Sequence, residues 1–245
     1  MIQVVISGLQ PIARDILVIE LEAADKSPLP GASPGSHIDL HLPNGLTRQY
    51  SLTNAESKRS QARYEIAVAR DANSRGGSAC IHDKLRRGSS LTISEPRNFF
   101  PLEVEAQGKV LFIGAGIGIT PIYAMVQTAQ KMGLDWTLIA CARSASRMAF
   151  QEELVSLDSK RVQFHFDLDR GAPLNLKALL DSSAWSTVYA CGPAGLLDAI
   201  ETVTANWPAG SVKMERFKAE AQDTSSNTVF ELVLAKSGKT IEVSA

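Results

Sequence analysis

The stretch KVLFIGAGIGITP, residues 109–121, decides the fold. Its first part, 109–114, is a predicted strand in which Lys109 is followed by a continuous apolar run, which is typical of a strand buried in a parallel sheet. Glycines then stand at every second position, at Gly114, Gly116 and Gly118. A helix is predicted over 121–132, with Thr120 able to cap it and Pro121 suited to its first turn. The segment therefore predicts a strand, a turn and a helix whose N-terminus can attract a pyrophosphate.

This turn departs from the usual dinucleotide-binding fingerprint in two ways. Ile119 stands where the fingerprint has its last glycine. No acidic residue closes the second strand, where Ala140, Cys141, Ala142 and Arg143 stand instead. The turn alone is therefore open to two interpretations, a phosphate-binding loop or a tight strand-to-helix connection without a ligand.

Strands and helices alternate through the rest of this half of the chain. Further strands are predicted at 136–141, 162–167, 187–191 and 212–215, and helices at 148–157, 174–180 and 194–204. This βαβ rhythm predicts a parallel sheet with helices on both faces, in a domain that covers residues 108–218.

The first half of the chain has a different pattern, with short strands separated by turn clusters. Apolar and polar residues alternate strictly at 37–42. Apolar residues recur at every second position at Leu17, Ile19 and Leu21 within 16–22, and likewise within 64–68, and a helix is predicted to begin near Ser78. Several short strands with turns between them predict a closed antiparallel barrel or a sandwich over residues 1–103. The predicted fold class is therefore β followed by α/β.

The composition is that of a globular protein and excludes several classes. The chain has 245 residues, with 25 Lys and Arg against 26 Asp and Glu, so its net charge of −1 gives no support for nucleic-acid binding. The cysteines Cys80, Cys141 and Cys191 form no CxxC pair, which excludes a disulfide framework, a structural zinc or an iron–sulfur cluster within these residues. Neither a secretion signal nor an apolar run of about 18 residues is present, so we expect no membrane partner and a cytoplasmic location.

A second strand end carries Cys191, Gly192 and Pro193 just before a predicted helix. Ligands of open α/β sheets bind at such edges, where Gly192 would allow a close approach and Cys191 would face the ligand. A buried thiol packed as a small hydrophobe is the alternative.

The ends of two other strands carry polar residues that bear on the choice of coenzyme. Arg143 and Ser144 can hold a 2′-phosphate, as Arg does in NADP sites. Asp167 ends the third strand of this half and favours NADH instead.

The first half contains two candidate sites for a phosphate and a ring. The run Arg48-Gln49-Tyr50-Ser51-Leu52-Thr53 offers a guanidinium that pairs with phosphate and an aromatic face for stacking. The run Arg75-Gly76-Gly77-Ser78 offers a glycine turn, a hydroxyl cap and a helix N-terminus. An ordinary strand with an exposed arginine and a simple helix cap are the respective alternatives.

His37, Asp39 and His41 share one face of a predicted strand. A metal site is conceivable there, but a solvated polar face is favoured because the sequence suggests no further ligand. We therefore predict no metal site.

Taken in order, these motifs resemble those of the ferredoxin–NADP reductase superfamily. The order is Arg48-x-Tyr50-Ser51-Leu52, Gly76-Gly77-Ser78, Gly114-x-Gly116-x-Gly118-Ile119-Thr120-Pro121 and Cys191-Gly192-Pro193. The stretches 67–71, 96–102 and 215–217 support the resemblance, and essentially the whole chain is similar to the branch of phthalate dioxygenase and vanillate demethylase reductases. The resemblance implies a six-stranded antiparallel flavin barrel over 1–103 and a nicotinamide-nucleotide domain over 108–218.

The resemblance also implies roles for single residues. The barrel would bind FMN, with the Tyr50 ring against the flavin, through Arg48, Gln49, Tyr50, Ser51, Leu52, Thr53, Ala67, Val68, Arg75, Gly76, Gly77 and Ser78. The second domain would bind NADH through Gly114, Gly116, Ile117, Gly118, Thr120, Pro121, Arg143, Ser144, Asp167, Cys191, Gly192 and Pro193. The residues that act beside the reacting rings would be Ser51, Cys191 and Phe217, with Phe217 shielding the flavin.

This branch implies a third, plant-type [2Fe–2S] ferredoxin domain. Residues 219–228 are polar and small, as in a linker, and residues 229–245 resemble only the first hairpin of such a domain. We therefore expect a fragment of a longer protein that carries the cluster outside this chain and has a Rieske-type oxygenase as its partner. The expected reaction is hydride transfer from NADH to FMN, followed by release of single electrons.

Two other functions stay open on the sequence alone. One is a free-standing flavin or ferredoxin reductase that uses FAD and NADPH. The other is a flavin-binding, redox-sensing module without turnover.

Overall fold

The computed structural model describes residues 1–56, 59–103, 108–217 and 229–243. Apolar residues at every second position shape the strands of the first half, because successive side chains leave a strand on opposite faces. Its elements are β1 (Ile2–Ala13), β2 (Ile16–Ala23), β3 (Leu29–Pro30), β4 (Ser36–His41), β5 (Thr47–Ser51), β6 (Ser60–Gln61), β7 (Tyr64–Ala69), α1 (Gly77–Lys84), β8 (Ser90–Ile93) and β9 (Arg97–Asn98).

These strands form an antiparallel sheet rather than the closed six-stranded barrel expected from the sequence. Six strands follow the order β5-β4-β8-β1-β2-β7, and β9 adds a seventh by pairing with β4. The edges of the sheet meet at a single bridge between Leu52 and Ile66. No ladder extends this bridge among the described residues, because the chain turns at Thr53 and Asn54. The sheet therefore curls until its edges touch, without closing.

Strand β2 buries side chains on both of its faces. Ile19 and Leu21 pack into the core of the first half. Ile16 and Val18 pack with Phe100 into the apolar core of the second half. The two halves therefore share an apolar interface, and β2 does not show the one-sided alternation that its sequence suggests.

The second half is a five-stranded parallel sheet with helices. Its elements are β10 (Lys109–Ala115), α2 (Ile119–Lys131), β11 (Asp135–Ala142), α3 (Gln151–Asp158), β12 (Val162–Phe166), α4 (Asp167–Arg170), α5 (Leu176–Asp181), β13 (Trp185–Cys191), α6 (Ala194–Val203) and β14 (Val212–Glu215). The strand order is β12-β11-β10-β13-β14. Because the chain leaves β10 toward β11 and later returns to its other side as β13, a crevice opens at the carboxyl ends of β10 and β13.

Polar contacts join the two halves around their apolar interface. The Tyr189 hydroxyl donates to the Glu103 carbonyl oxygen at 2.7 Å and accepts from the Glu103 amide at 2.8 Å. Gln127 Nε2 donates to the Thr53 carbonyl oxygen at 3.0 Å.

Two ion pairs also join the halves. Lys131 lies 2.9 Å from Glu56, and Arg147 lies 3.0 Å from Asp15. These contacts hold the turn after β10 close to β7.

A two-stranded hairpin, β15 (Phe230–Leu234) and β16 (Lys239–Val243), follows along the chain. The predicted linker, 219–228, lies outside the described residues, and the predicted domain boundaries stay predictions. Every helix in the described part of the chain is too short or too polar to span a bilayer.

Candidate functional site

A cleft of about 420 Å³ lies between the two halves, at the carboxyl ends of the parallel strands. Four of the residues expected to bind flavin line it from the first half, namely Gln49, Tyr50, Ser51 and Ala67. Three of the residues expected to act from the second half face them, namely Ile117, Thr120 and Phe217. The fold therefore brings residues that are far apart in sequence to one cleft.

The same cleft contains residues that carried no assigned role in the sequence. They are His37, Ala69 and Phe99 on one side and Met214, Glu215 and Arg216 on the other. Glu215 and Arg216 directly precede Phe217, so that stretch is a signal that can locate them. Phe99 is 78% exposed at the cleft, and no sequence pattern marks it.

Other residues expected to bind flavin lie in the core beside the cleft. Leu52 and Val68 are almost completely buried. Thr53 is completely buried, and its hydroxyl donates to Glu65 Oε1 at 2.5 Å. These side chains support β5 and β7, and a direct contact with a ligand stays a prediction for each of them.

Arg48 lies against the N-terminus of α1. Its Nη2 donates to the Arg75 carbonyl oxygen at 3.3 Å, and a Cβ added at Gly77 would come within 2.7 Å of Arg48 Nε. Gly76 has a φ of 87°, in the left-handed region that favours glycine. The two candidate phosphate-binding runs of the first half thus meet at one place, where a guanidinium and a helix N-terminus both attract an anion.

The hydroxyl cap expected from Ser78 is wrong. A capping residue must precede its helix, and Ser78 is the second residue of α1. The Ala79 amide instead donates to Ser74 Oγ at 3.3 Å. Ser78 Oγ accepts from the Asp71 amide at 3.1 Å, so this hydroxyl holds the preceding loop in place.

The glycines after β10 and β13 pack two turns against each other. A Cβ at Gly118 would lie 2.4 Å from the Cys191 carbonyl oxygen, and a Cβ at Gly192 would lie 2.8 Å from Ala115 Cβ. Gly116 has a φ of 56°, and no described heavy atom lies within 4 Å of a Cβ added there. Gly116 is therefore the glycine of this turn whose backbone leaves room for a ligand.

The helix cap expected from Thr120 is also wrong. A 3-10 turn, Gly116–Gly118, leads directly into α2, so Thr120 and Pro121 already lie in the first turn of the helix. The Thr120 hydroxyl donates back to the Ile117 carbonyl oxygen at 2.9 Å. Gly118 takes the cap position without a side-chain hydrogen bond. The helix therefore begins two residues earlier than Pro121 suggests.

Cys191 is completely buried below this turn, and burial raises the pKa of its thiol. It stands opposite Glu215 in the β13–β14 ladder and packs in the same apolar core as Tyr189. Pro193 then forms the boundary of α6. Because the thiol lies in the core rather than on the cleft wall, a role for Cys191 beside a nicotinamide stays a prediction.

Glu215 lines the cleft from β14. Its Oε2 is buried and has no hydrogen-bond partner in the described part of the chain. Burial raises the pKa of the carboxyl from 4.5 to about 7. A protonated carboxyl group can donate a hydrogen bond as well as accept one. The wall of the cleft therefore contains a carboxyl group, that of Glu215, which gains or loses its proton near neutral pH.

We expect Glu215→Gln to change how stability depends on pH. Between pH 4.5 and about 7 the folded state keeps a proton on Glu215 that the unfolded chain releases. The free energy of unfolding of the wild type should therefore fall through this window relative to Glu215→Gln, by up to about 3 kcal/mol. Urea unfolding at several pH values measures the difference, with the exposed Glu152→Gln as a control that should follow the wild type. Parallel profiles for the wild type and Glu215→Gln would contradict the prediction.

Phe217 is held at the cleft by the ion pairs of its neighbour. Arg216 Nη1 lies 2.8 Å from Asp198 Oδ1, and Arg216 Nη2 lies 3.0 Å from Glu201 Oε1, both on α6. Phe217 is 45% exposed. An aromatic ring anchored at the side of a cleft suits a flat ring as its ligand.

Arg143, Ser144 and Asp167 lie at the carboxyl ends of the neighbouring strands β11 and β12. The Arg143 carbonyl oxygen accepts from the Leu168 amide at 3.1 Å. The Asp167 carboxylate lies 3.4 Å from His165 Nε2. Charges of both signs are therefore present at the strand ends where the ribose of a coenzyme is expected.

The solvated polar face expected for β4 is wrong at its first position. Asp39 pairs with Arg97 at 2.7 Å, and His41 is bonded to a hydroxyl of β5. His37, in contrast, is buried, and its ring centroid lies 5.4 Å from that of Phe99. Strand β9 pairs with this end of β4, and the Phe99 ring that follows lies against His37. No group of three metal-ligating side chains occurs among the residues that the structure describes.

A curled antiparallel sheet, a five-stranded parallel sheet and a cleft between them define the ferredoxin–NADP reductase fold, which belongs to NAD(P)H-dependent flavoprotein oxidoreductases. The toluene-4-sulfonate monooxygenase system reductase subunit of Comamonas testosteroni is 47% identical over 244 residues, which cover 100% of this chain and 77% of the relative. Vanillate O-demethylase oxidoreductase of a Pseudomonas species is 41% identical over 250 residues, which cover 100% and 78%. The solved structure of phthalate dioxygenase reductase matches with a TM-score of 0.81 at 35% identity, over 99% of this chain and 76% of that one.

No family model matches the chain. These relatives nevertheless show its family, since they are similar over nearly the whole of its length. The chain belongs to the family of oxygenase-system reductase subunits that includes phthalate dioxygenase reductase. It is an oxidoreductase of the NAD(P)H-dependent flavoprotein type.

Proposed function

We propose that this chain takes hydride from NADH onto FMN and passes the electrons singly to a [2Fe–2S] centre that serves a Rieske-type oxygenase. The observation that carries the proposal is the cleft, which gathers the end of β5, the turn before α2 and Phe217. Similarity to the phthalate dioxygenase reductase branch supports FMN and NADH as the cofactors. When bound, a nicotinamide and a flavin supply hydride transfer and one-electron release.

The side chains of the first half fit a flavin mononucleotide. Arg48 and the N-terminus of α1 would hold the phosphate, because both attract an anion and they lie against each other. Tyr50 would pack against the ring, and burial raises the pKa of its hydroxyl to about 12, so it stays neutral. Ser51 and Ala67 would line the edge of the same ring.

The second half would position the nicotinamide. Gly116 leaves its backbone open to a ligand, while Ile117 and Thr120 face the cleft. Hydride transfer needs reacting atoms about 3–3.5 Å apart in a site that excludes water. The apolar core that the two halves share beneath the cleft would help to exclude water from that approach.

Flavin analysis and anaerobic reduction test the proposal. We expect the flavin extracted from the purified protein to have the mass of FMN. We also expect NADH to bleach its yellow absorbance under anaerobic conditions, and kcat/KM for ferricyanide reduction to be larger with NADH than with NADPH. FAD together with a preference for NADPH would favour a free-standing flavin or ferredoxin reductase. A bound flavin that NADH does not bleach would favour a redox-sensing module.

A further inference from the structure

His37 lines the cleft and has a buried ring nitrogen without a hydrogen-bond partner in the described part of the chain. The residue is 6% exposed and lines the cleft wall. Its Nε2 is buried and has no hydrogen-bond partner among the described residues. Buried polar atoms in folded proteins nearly always have a partner. An orphaned donor or acceptor in the wall of a cleft therefore points to a ligand that completes it.

The position of His37 links this nitrogen to the flavin-binding run. His37 stands directly opposite Ser51 in the β4–β5 ladder. Ser51 and the neighbouring Tyr50 line the same cleft. The imidazole also contacts the Phe99 ring, whose centroid lies 5.4 Å from its own. A ligand packed on Tyr50 and Ser51 would therefore lie beside the imidazole of His37.

The surroundings of His37 favour an uncharged polar ligand over an anion. Burial, and then the nearby Arg97 guanidinium, lower the pKa of the imidazole, and Asp39 opposes this only partly. A neutral imidazole carries one donor nitrogen and one acceptor nitrogen. Such a group suits the carbonyl and ring-nitrogen atoms of a heterocycle, whereas a phosphate is better served by Arg48 and the N-terminus of α1.

We propose that His37 is a flavin-binding residue, and that its Nε2 forms a hydrogen bond with a polar atom of the flavin ring system. The inference rests on the proposed function, because the ring in question is the flavin assigned to this cleft. His37 would recognise the flavin ring itself. It would thus add to the two runs that bind the phosphate and stack on the ring. The proposal also explains why the fold buries the His37 imidazole while its Nε2 has no partner among the described residues.

Flavin titration of the apoprotein tests the proposal, with FMN and riboflavin as separate ligands and flavin fluorescence as the signal. His37→Phe keeps a flat ring but removes the hydrogen bond, so we expect Kd to rise about 10-fold for both ligands. His37→Gln can still make the bond and should stay within about threefold of the wild type. His41→Phe is the matched control, since His41 lies on the same strand but is bonded to Thr47, and its Kd values should not change.

The outcomes separate this inference from the proposed function. Unchanged Kd values for His37→Phe would overturn the inference, as would an effect on FMN without an effect on riboflavin. An equal loss in His37→Phe and His37→Gln would also overturn it, because only the shape of the imidazole would then matter. A wild-type protein that binds neither flavin would instead contradict the proposed function.

A measurement on the wild type covers the case in which His37→Phe fails to fold. The ¹⁵N resonance of His37 Nε2 should shift when riboflavin is added, because a new hydrogen bond changes the shielding of that nitrogen. A resonance that does not move would overturn the inference.

Discussion

Gly118→Ala is expected to destabilise the protein by about 2–3 kcal/mol. The new Cβ would lie 2.4 Å from the Cys191 carbonyl oxygen and 2.7 Å from the Gly192 amide nitrogen. Both are backbone atoms of the turn before α6, so the contact can be relieved only by moving one turn away from the other. Gly118 has a φ of −63°, which any residue adopts, so the loss comes from the contact and not from backbone strain.

The same substitution should raise KM for NADH. The turn that moves carries Gly116, whose open backbone is where we place the coenzyme. Urea unfolding measures the stability, and steady-state kinetics with NADH measures KM.

Gly195→Ala is the matched control in the same domain. Gly195 lies in α6, and no described atom comes within 4 Å of a Cβ added there. Alanine favours a helix over glycine, so this variant should gain up to about 1 kcal/mol and keep its KM for NADH. If Gly118→Ala were as stable as Gly195→Ala, the close packing of the two turns would be wrong.

The elements of the second half follow closely from the sequence because their signals are local. A continuous apolar run such as 110–114 is long enough to identify a buried strand, and the glycines after it fix the turn. Closure of the first sheet is a different matter, because it depends on two edges that are distant in sequence. The single bridge between Leu52 and Ile66 is decided by where the chain turns at Thr53, which no periodicity reports.

The candidate site shows the same division. Tyr50, Ser51 and Phe217 can be placed at one cleft from motifs, since each motif marks a fixed position in the fold. The burial of His37 cannot be predicted, because its strand alternates normally and the neighbours of His37 come from β9 and Phe99, which are distant in sequence. The raised pKa of Glu215 likewise cannot be predicted from the sequence, because the burial that causes it depends on how neighbouring elements pack around β14.

Arg48→Ala is expected to raise Kd for FMN about 10- to 100-fold and to leave Kd for riboflavin within about threefold of the wild type. Only FMN carries the phosphate that Arg48 and the N-terminus of α1 would hold. Arg48→Lys should give an intermediate loss for FMN, because lysine keeps the charge but lacks the planar fork of donors. The exposed Arg87→Ala, which changes the net charge equally, is the control and should bind both flavins as the wild type does.

The variants His37→Phe and Arg48→Ala should differ in which of the two flavins they weaken. His37→Phe should weaken FMN and riboflavin by one factor, whereas Arg48→Ala should weaken FMN alone. Because the two side chains would contact different parts of the ligand, their effects on the free energy of FMN binding should add in the double variant. A loss of riboflavin in Arg48→Ala as large as the loss of FMN would show that Arg48 supports the ring or the fold instead. The phosphate would then have to be held elsewhere than at Arg48.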